Sequence, residues 1–223
     1  IGCEVYVAPG SRFDKEANAG EDRYYHLILL AENNKGYANL CKIVSKGFVD
    51  GFYYKPRVDY EVLREFHEGI ICLSACLAGE VQRFLARGDY QAGKEAALRY
   101  LDIFGKDNYF LELQDHGILE QKTVNQQLLR LSDELGVDLV CTNDVHADDV
   151  EAHDILLCIQ TGKKKSDEDR MRYEGGQYYL KSPEEMADLF KYAPQALENT
   201  EKIAKRCNVT FEFGVTKIPS FPV

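Results

Sequence analysis

Apolar and polar positions along the 223-residue chain fall into two alternating kinds of segment. Short runs rich in β-branched and aromatic residues occur at Cys3–Ala8, Tyr25–Ala31, Gly69–Ser74, Tyr109–Gln114 and Leu139–Thr142, with a weaker one at Tyr178–Lys181. These predict strands. Helical spacing falls between them, at Asn34–Lys46, Asp59–His67, Asp89–Phe104 and Glu120–Leu135. The last puts Val124, Leu128, Leu131 and Leu135 on one stripe and stops at Gly136, a favoured C-terminal position for glycine. Ser182-Pro183-Glu184-Glu185 is a capping box with proline in the first turn, and Pro194 opens a helix to about Cys207. The charged, glycine-punctuated stretch Lys163–Gly176 reads as an exposed loop. Alternating strands and helices predict an α/β fold, a mostly parallel sheet with crossover helices, open or closed into a barrel.

Composition narrows the class. Hydrophobic residues at 45% and charged residues at 29% are ordinary for a folded domain and exclude a disordered chain. No apolar run approaches the roughly 18 residues that span a bilayer, so no membrane partner is expected. The net charge of −10 makes the chain by itself a poor grip on DNA phosphates, and suits carboxylates gathered around metal ions. Seven cysteines, an odd number, lie mostly inside apolar runs, and none form a CxxC pair. They read as reduced thiols of a cytosolic protein. The chain opens within a predicted strand and closes on Ile218-Pro219-Ser220-Phe221-Pro222-Val223, so both ends look cut from a longer polypeptide.

In parallel α/β folds, reactive side chains collect at the C-terminal ends of strands. Glu4 lies in the first predicted strand, His26 opens the second, and Cys76 follows the third. Asp115 and His116 follow the fourth, and Asp144 and His146 the fifth. Carboxylate, imidazole and thiolate together suit zinc, or zinc with iron or manganese. In Asp144-Val145-His146 both outer side chains share a face, so two donors converge. Taken singly, each has a plainer reading. A lone strand histidine is more often structural, a lone cysteine a small hydrophobe, and Asn143-Asp144 simple turn chemistry. His67 and His153 read as solvated or partly packed histidines. Ser74 with His116 could mimic a nucleophile–base pair, although nothing fixes their distance. No GxSxG, GxxxxGK[ST] or GxGxxG motif occurs. Lys163-Lys164-Lys165 reads as a solvated loop. Gly51-Phe52-Tyr53-Tyr54-Lys55-Pro56-Arg57 mixes aromatics with Lys55 and Arg57, candidates to contact single-stranded DNA or phosphate, or a turn packed on a barrel rim.

Gly2-Cys3-Glu4-Val5-Tyr6-Val7, Tyr25-His26-Leu27-Ile28-Leu29-Leu30-Ala31, the Gly51–Arg57 stretch, Leu73-Ser74-Ala75-Cys76-Leu77 and Thr142-Asn143-Asp144-Val145-His146 follow one another in a known order. Over nearly its whole length the chain resembles the polymerase-and-histidinol-phosphatase (PHP) domain of bacterial DNA polymerase III alpha subunits. The resemblance implies a distorted TIM-like barrel with parallel strands and outer helices, spanning residues 1–207, and an extended linker toward the polymerase palm at 208–223. It implies a cluster of up to three ions, Zn2+ or a mixture with Mn2+ or Fe2+. Glu4, His26, Cys76, Asp144 and His146 would be ligands, Asp144 and His146 also catalytic, with His116 beside the site. Family members with the cluster intact resemble metal-dependent 3′–5′ exonucleases that proofread; others are structural. The family's earlier His-x-His and Asp-His motifs do not occur here, so an incomplete barrel and site are expected. The implied setting is cytoplasmic DNA replication by a DNA-directed DNA polymerase, with DNA, the clamp and the proofreading subunit as partners. The rival readings are an inert module bracing the polymerase and a free-standing phosphoesterase of the histidinol phosphatase type.

Overall fold

The computed structural model describes residues 1–16, 22–146, 150–173 and 176–215. The chain runs β1 (Gly2–Val7), β2 (Tyr25–Ala31), α1 (Asn34–Val49), β3 (Phe52–Tyr53), β4 (Lys55–Val58), α2 (Tyr60–Phe66), β5 (Ile70–Leu73), α3 (Glu80–Ala86), α4 (Tyr90–Phe104), β6 (Tyr109–Leu113), α5 (Leu119–Leu135), β7 (Leu139–Cys141), α6 (Val150–Thr161), α7 (Pro183–Leu189) and α8 (Pro194–Arg206). The strands form one seven-stranded sheet in the order β3-β4-β1-β2-β5-β6-β7. Pairings β1–β4, β5–β6 and β6–β7 are parallel, whereas β2 is antiparallel to both β1 and β5, and β3 to β4. The parallel strands implied by the resemblance, and the mostly parallel sheet read from the alternation, are thus corrected: among the described residues three pairings are parallel and three antiparallel. Val7 and Tyr25, the facing ends of β1 and β2, are paired, so the chain re-enters the sheet beside the strand end it left and the two strands run antiparallel. Among the described residues, no pairing joins β3 to β7, so the sheet is open.

Alternation in β1 and β2 sorts side chains between two environments. Val5, Val7, Leu27 and Leu29 enter the core, while Glu4, Tyr6 and His26 face away from it. Strands β5, β6 and β7 are buried on both sides, as strands covered by helices on both faces must be. Helix α5 contributes Val124, Leu128 and Leu131 to this core and ends at Gly136 with φ 62°, where a left-handed backbone favours glycine. The capping box at Ser182 forms as expected. The expected weak strand at Tyr178–Lys181 is irregular chain. Helix α8 packs on β7, where the Asn199 amide donates to the Leu139 carbonyl at 2.8 Å. Beyond it the chain runs extended past α1, and the Asn208 N–H reaches the Glu32 carbonyl at 2.8 Å. All seven cysteines are free thiols. Among the described residues, no helix is long and apolar enough to cross a membrane. The closing Ile218–Val223 segment lies outside the described residues.

Candidate metal centre

Glu4, His26, Cys76, His116, Asp144 and His146 line one cavity of about 370 Å3, with Gln114, Gln121, Tyr173 and Tyr178 among its other walls. The antiparallel β2 explains how His26 joins them. Its N-terminal end lies at the same end of the sheet where β5, β6 and β7 finish. Glu4 and His26 come from adjacent strands, with His26 Nδ1 3.3 Å from Glu4 Oε1 and 3.7 Å from Cys76 Sγ. Cys76 reaches this point because the chain turns sharply after β5. Ala75 adopts φ 65°, a left-handed conformation unusual for alanine. The loop then docks on β2, where the His26 N–H donates to the Ala78 carbonyl at 2.9 Å. Across the cavity, His146 Nε2 lies 3.3 Å from Asp144 Oδ2.

The charges respond to these neighbours. Burial alone would lower the His26 pKa, but hydrogen bonds to Cys76 and Glu4 outweigh it and raise it to about 9. The hydrogen bond from His26 holds the Glu4 carboxyl below its usual range. His116 is different. It is buried, its pKa is lowered by that burial, and both ring nitrogens are engaged. Nε2 accepts the Asp144 N–H at 3.0 Å and Nδ1 meets the Gln121 amide at 3.0 Å. Its ring lies parallel to Tyr178 at 4.5 Å. His116 therefore fixes the Asp144 backbone rather than offering a free lone pair.

The donor set has the chemistry of a site for zinc or a zinc–iron–manganese mixture: two carboxylates, two imidazoles and a thiolate. It is gathered as two groups, Glu4–His26–Cys76 and Asp144–His146. Among the described residues, no three or more His, Cys, Asp or Glu side chains stand close enough together to hold an ion as they are placed.

The other candidates fall elsewhere. Arg57 is 3% exposed and its guanidinium donates to the carbonyls of Gly51, Arg23, Arg12 and Asp14, so it holds loops together and presents no face to a phosphate. Lys55 is exposed, lies over the Tyr6 ring at 5.4 Å, and acts on the Glu4 charge. Ser74 is buried and accepts from Gln82 and the Glu112 N–H, with no hydrogen bond to His116 among those described. His67 caps the surface end of α2. His153 stacks on His146 at 4.8 Å, packed beside the cavity instead of solvated. Sequence reasoning missed Gln114, Gln121, Tyr173 and Tyr178. Tyr173 in an otherwise charged, glycine-punctuated stretch, and Tyr178 at the start of the expected weak strand just after it, were the available signals for the last pair.

The chain has relatives among known proteins. The PHP domain family matches residues 1–116. A protein named DNA polymerase III subunit alpha from Treponema pallidum is 51% identical over 94% of this chain and 18% of its own length. Proteins of the same name from Borreliella burgdorferi and Deinococcus radiodurans are 46% and 42% identical, over 97% and 100% of the chain and 19% and 18% of their own lengths. The chain thus spans about a fifth of the length of the curated relatives it matches. With a match over more than half its residues, carrying Glu4, His26 and Cys76, the chain belongs to the PHP domain family.

Proposed function

We propose that the chain is the PHP region of a replicative DNA polymerase III alpha polypeptide, and that its cavity supports metal-dependent cleavage of phosphodiesters from a 3′ end. One observation carries this reading: five donors of metal-binding type, from four separate stretches of chain, line one cavity. Glu4, His26 and Cys76 would hold ions on one side, Asp144 and His146 on the other. Up to three ions of zinc, or of zinc with manganese or iron, would supply a water of lowered pKa and neutralise charge on the phosphoryl oxygens. The protein's own part is orientation. His116 fixes the Asp144 backbone, and the Asp144–His146 contact sets both side chains. Lys55, exposed and close enough to act on the Glu4 charge, is suited to a phosphate of the incoming strand, and Tyr173 and Tyr178 in the cavity wall offer ring surface to a base.

The same proposal extends to the setting: a barrel closed by further strands of the full polypeptide, cytoplasmic DNA replication, and contact with DNA, the sliding clamp and a proofreading subunit. A second reading has its own support. The donors already pair with one another, and among the described residues no three are arranged to hold an ion, which suits a module that braces the polymerase and binds metal for stability or not at all. The free-standing phosphatase reading is the weakest, because the relatives that span nearly the whole chain carry the polymerase name.

The first test is elemental analysis of the full-length polypeptide after exhaustive dialysis. About two to three equivalents of zinc, manganese or iron per chain are expected. Asp144→Asn should lose metal and lower the 3′–5′ exonuclease rate on a mismatched primer by about 100-fold or more. Metal content and rate both unchanged in Asp144→Asn would overturn the assignment. Retained metal without any hydrolysis in the unsubstituted protein would leave the bracing module as the function.

A further inference from the structure

Glu112 sits near the C-terminal end of β6, between Leu111 and Leu113, and is 4% exposed, in a strand buried on both faces. A carboxylate in such a place is costly unless its oxygens are satisfied. They are. Glu112 accepts the Ala75 N–H at 2.9 Å, the Gln114 amide at 3.2 Å and the Thr142 hydroxyl. These donors come from three different strand ends. Ala75 follows β5 and immediately precedes Cys76. Gln114 follows β6 and leads to His116. Thr142 follows β7 and lies two residues before Asp144.

The backbone around Glu112 repeats the pattern. Its N–H donates to Ser74 Oγ at 2.8 Å, and the Gln82 amide donates to Ser74 Oγ at 2.6 Å and to the Ala75 carbonyl at 2.9 Å. The left-handed φ of 65° at Ala75 is unfavourable for an L residue, so the turn needs an outside hold. The carboxylate bonded to the Ala75 N–H supplies it.

We propose that Glu112 is the positioning residue of the cavity: one buried carboxylate ties the ends of β5, β6 and β7 together and thereby sets the separation of Cys76 from Asp144 and His146. Glu112 does not line the cavity beside those donors, so it acts through the three segments that carry them. The relevance to metal rests on the reading of those donors as ligands; the tie between strand ends does not.

The test uses the full-length polypeptide and two readouts. The first is hydrogen–deuterium exchange without metal. Glu112→Gln keeps the size of the side chain but turns one acceptor oxygen into a donor amide. Exchange should rise together across residues 74–78 and 142–146, by about tenfold or more, with α1 unchanged. A rise in one segment alone, or in neither, overturns the tie. The second is titration with Co2+, whose thiolate charge-transfer band reports Cys76. In Glu112→Gln the Co2+ dissociation constant should weaken about 10–100-fold, with the thiolate band lost ahead of the ligand-field bands. An unchanged constant and band overturn the positioning role. If Glu112→Gln does not fold, Thr142→Val removes one arm of the tie at constant shape. It should raise exchange across 142–146 and weaken Co2+ binding, and no change in either overturns the proposal. An unsubstituted protein that takes up no Co2+ overturns the metal reading alone, and the exchange result still decides the tie.

Discussion

Asp22 shows how single residues hold the approach to the cavity. Its largely covered carboxylate binds Arg83 at 2.5 Å and Arg87 at 2.8 Å, fastening the segment before β2 to α3. Burial pushes the Asp22 pKa up, but the two arginines outweigh it and keep it below the usual carboxylate range. The folded pKa is depressed, so this contribution is present above the unfolded value of about 3.9 and is lost as pH falls through the folded value. Asp22→Asn should therefore lower the melting temperature at neutral pH, with the gap to the unsubstituted protein closing in melts below about pH 4. Ala75 permits a second test. Relief of its left-handed backbone is worth about 1–2 kcal/mol, while glycine's extra freedom when unfolded takes back about 0.4–1 kcal/mol. Ala75→Gly should be neutral or slightly stabilising in urea unfolding, and Ala75→Val clearly destabilising. At this scale Glu4, His26, Asp144 and His146 were legible in the sequence because a polar residue at or within the end of an apolar strand has few structural reasons to be there. Glu112 was not. In Leu111-Glu112-Leu113 it looks like the solvated half of an alternating strand, and only the covering helices make it buried.

Elements meet where side chains are absent. A Cβ placed on Gly36 in α1 would lie 1.8 Å from the Gly69 carbonyl oxygen, so the helix approaches the start of β5 backbone to backbone. Asn39 adds a bond from α1 to the Glu68 carbonyl at 2.9 Å. Gly36→Ala should push α1 outward and cost about 1–3 kcal/mol or more by chemical denaturation. Leu128→Ala, removing a fully buried side chain from α5, should cost about 2–5 kcal/mol. Helix α5 was readable in advance since its apolar stripe is unbroken and its glycine stop is in place. At Gly51–Arg57 a turn was one of the two readings, but the β3–β4 strands on either side of it were not foreseen. Tyr53-Tyr54-Lys55 carries none of the usual turn residues, yet Tyr54 takes φ 60° and reverses the chain. Helix α3 was missed for another reason: seven residues are too few for a periodic pattern to declare itself.

At the scale of the molecule, the end of α8 and the segment after it are fastened back to the chain that follows β2. Arg206 binds Glu32 at 3.0 Å and also holds the Asp107 carbonyl and the Asn108 side chain, so one residue bridges the segments after β2 and before β6. Asn34 and Thr210 exchange hydrogen bonds at 2.8 and 3.1 Å. Arg206→Ala should lower the melting temperature, with a cost of about 1–3 kcal/mol read from its unfolding midpoint. The sequence could not announce the direction of β2, because its alternation shows which residues face the core and not which way the strand runs beside β1.

The order of the sheet has a kinetic consequence. From β1 outward, β2, β5, β6 and β7 are added at one edge in the order of their synthesis, each pairing with the strand made just before it in that series. A nascent chain emerging from the ribosome can therefore lay down this half of the sheet stepwise, with no early strand left waiting for a distant later partner. The cavity behaves differently. Its Glu4, His26 and Cys76 wall is in place early, and its Asp144 and His146 wall arrives only with β7. The cavity is closed later still, by Tyr173 and Tyr178 from the segment that follows α6. Substitutions in β7 such as Val140→Ala should speed unfolding while leaving the refolding rate almost untouched.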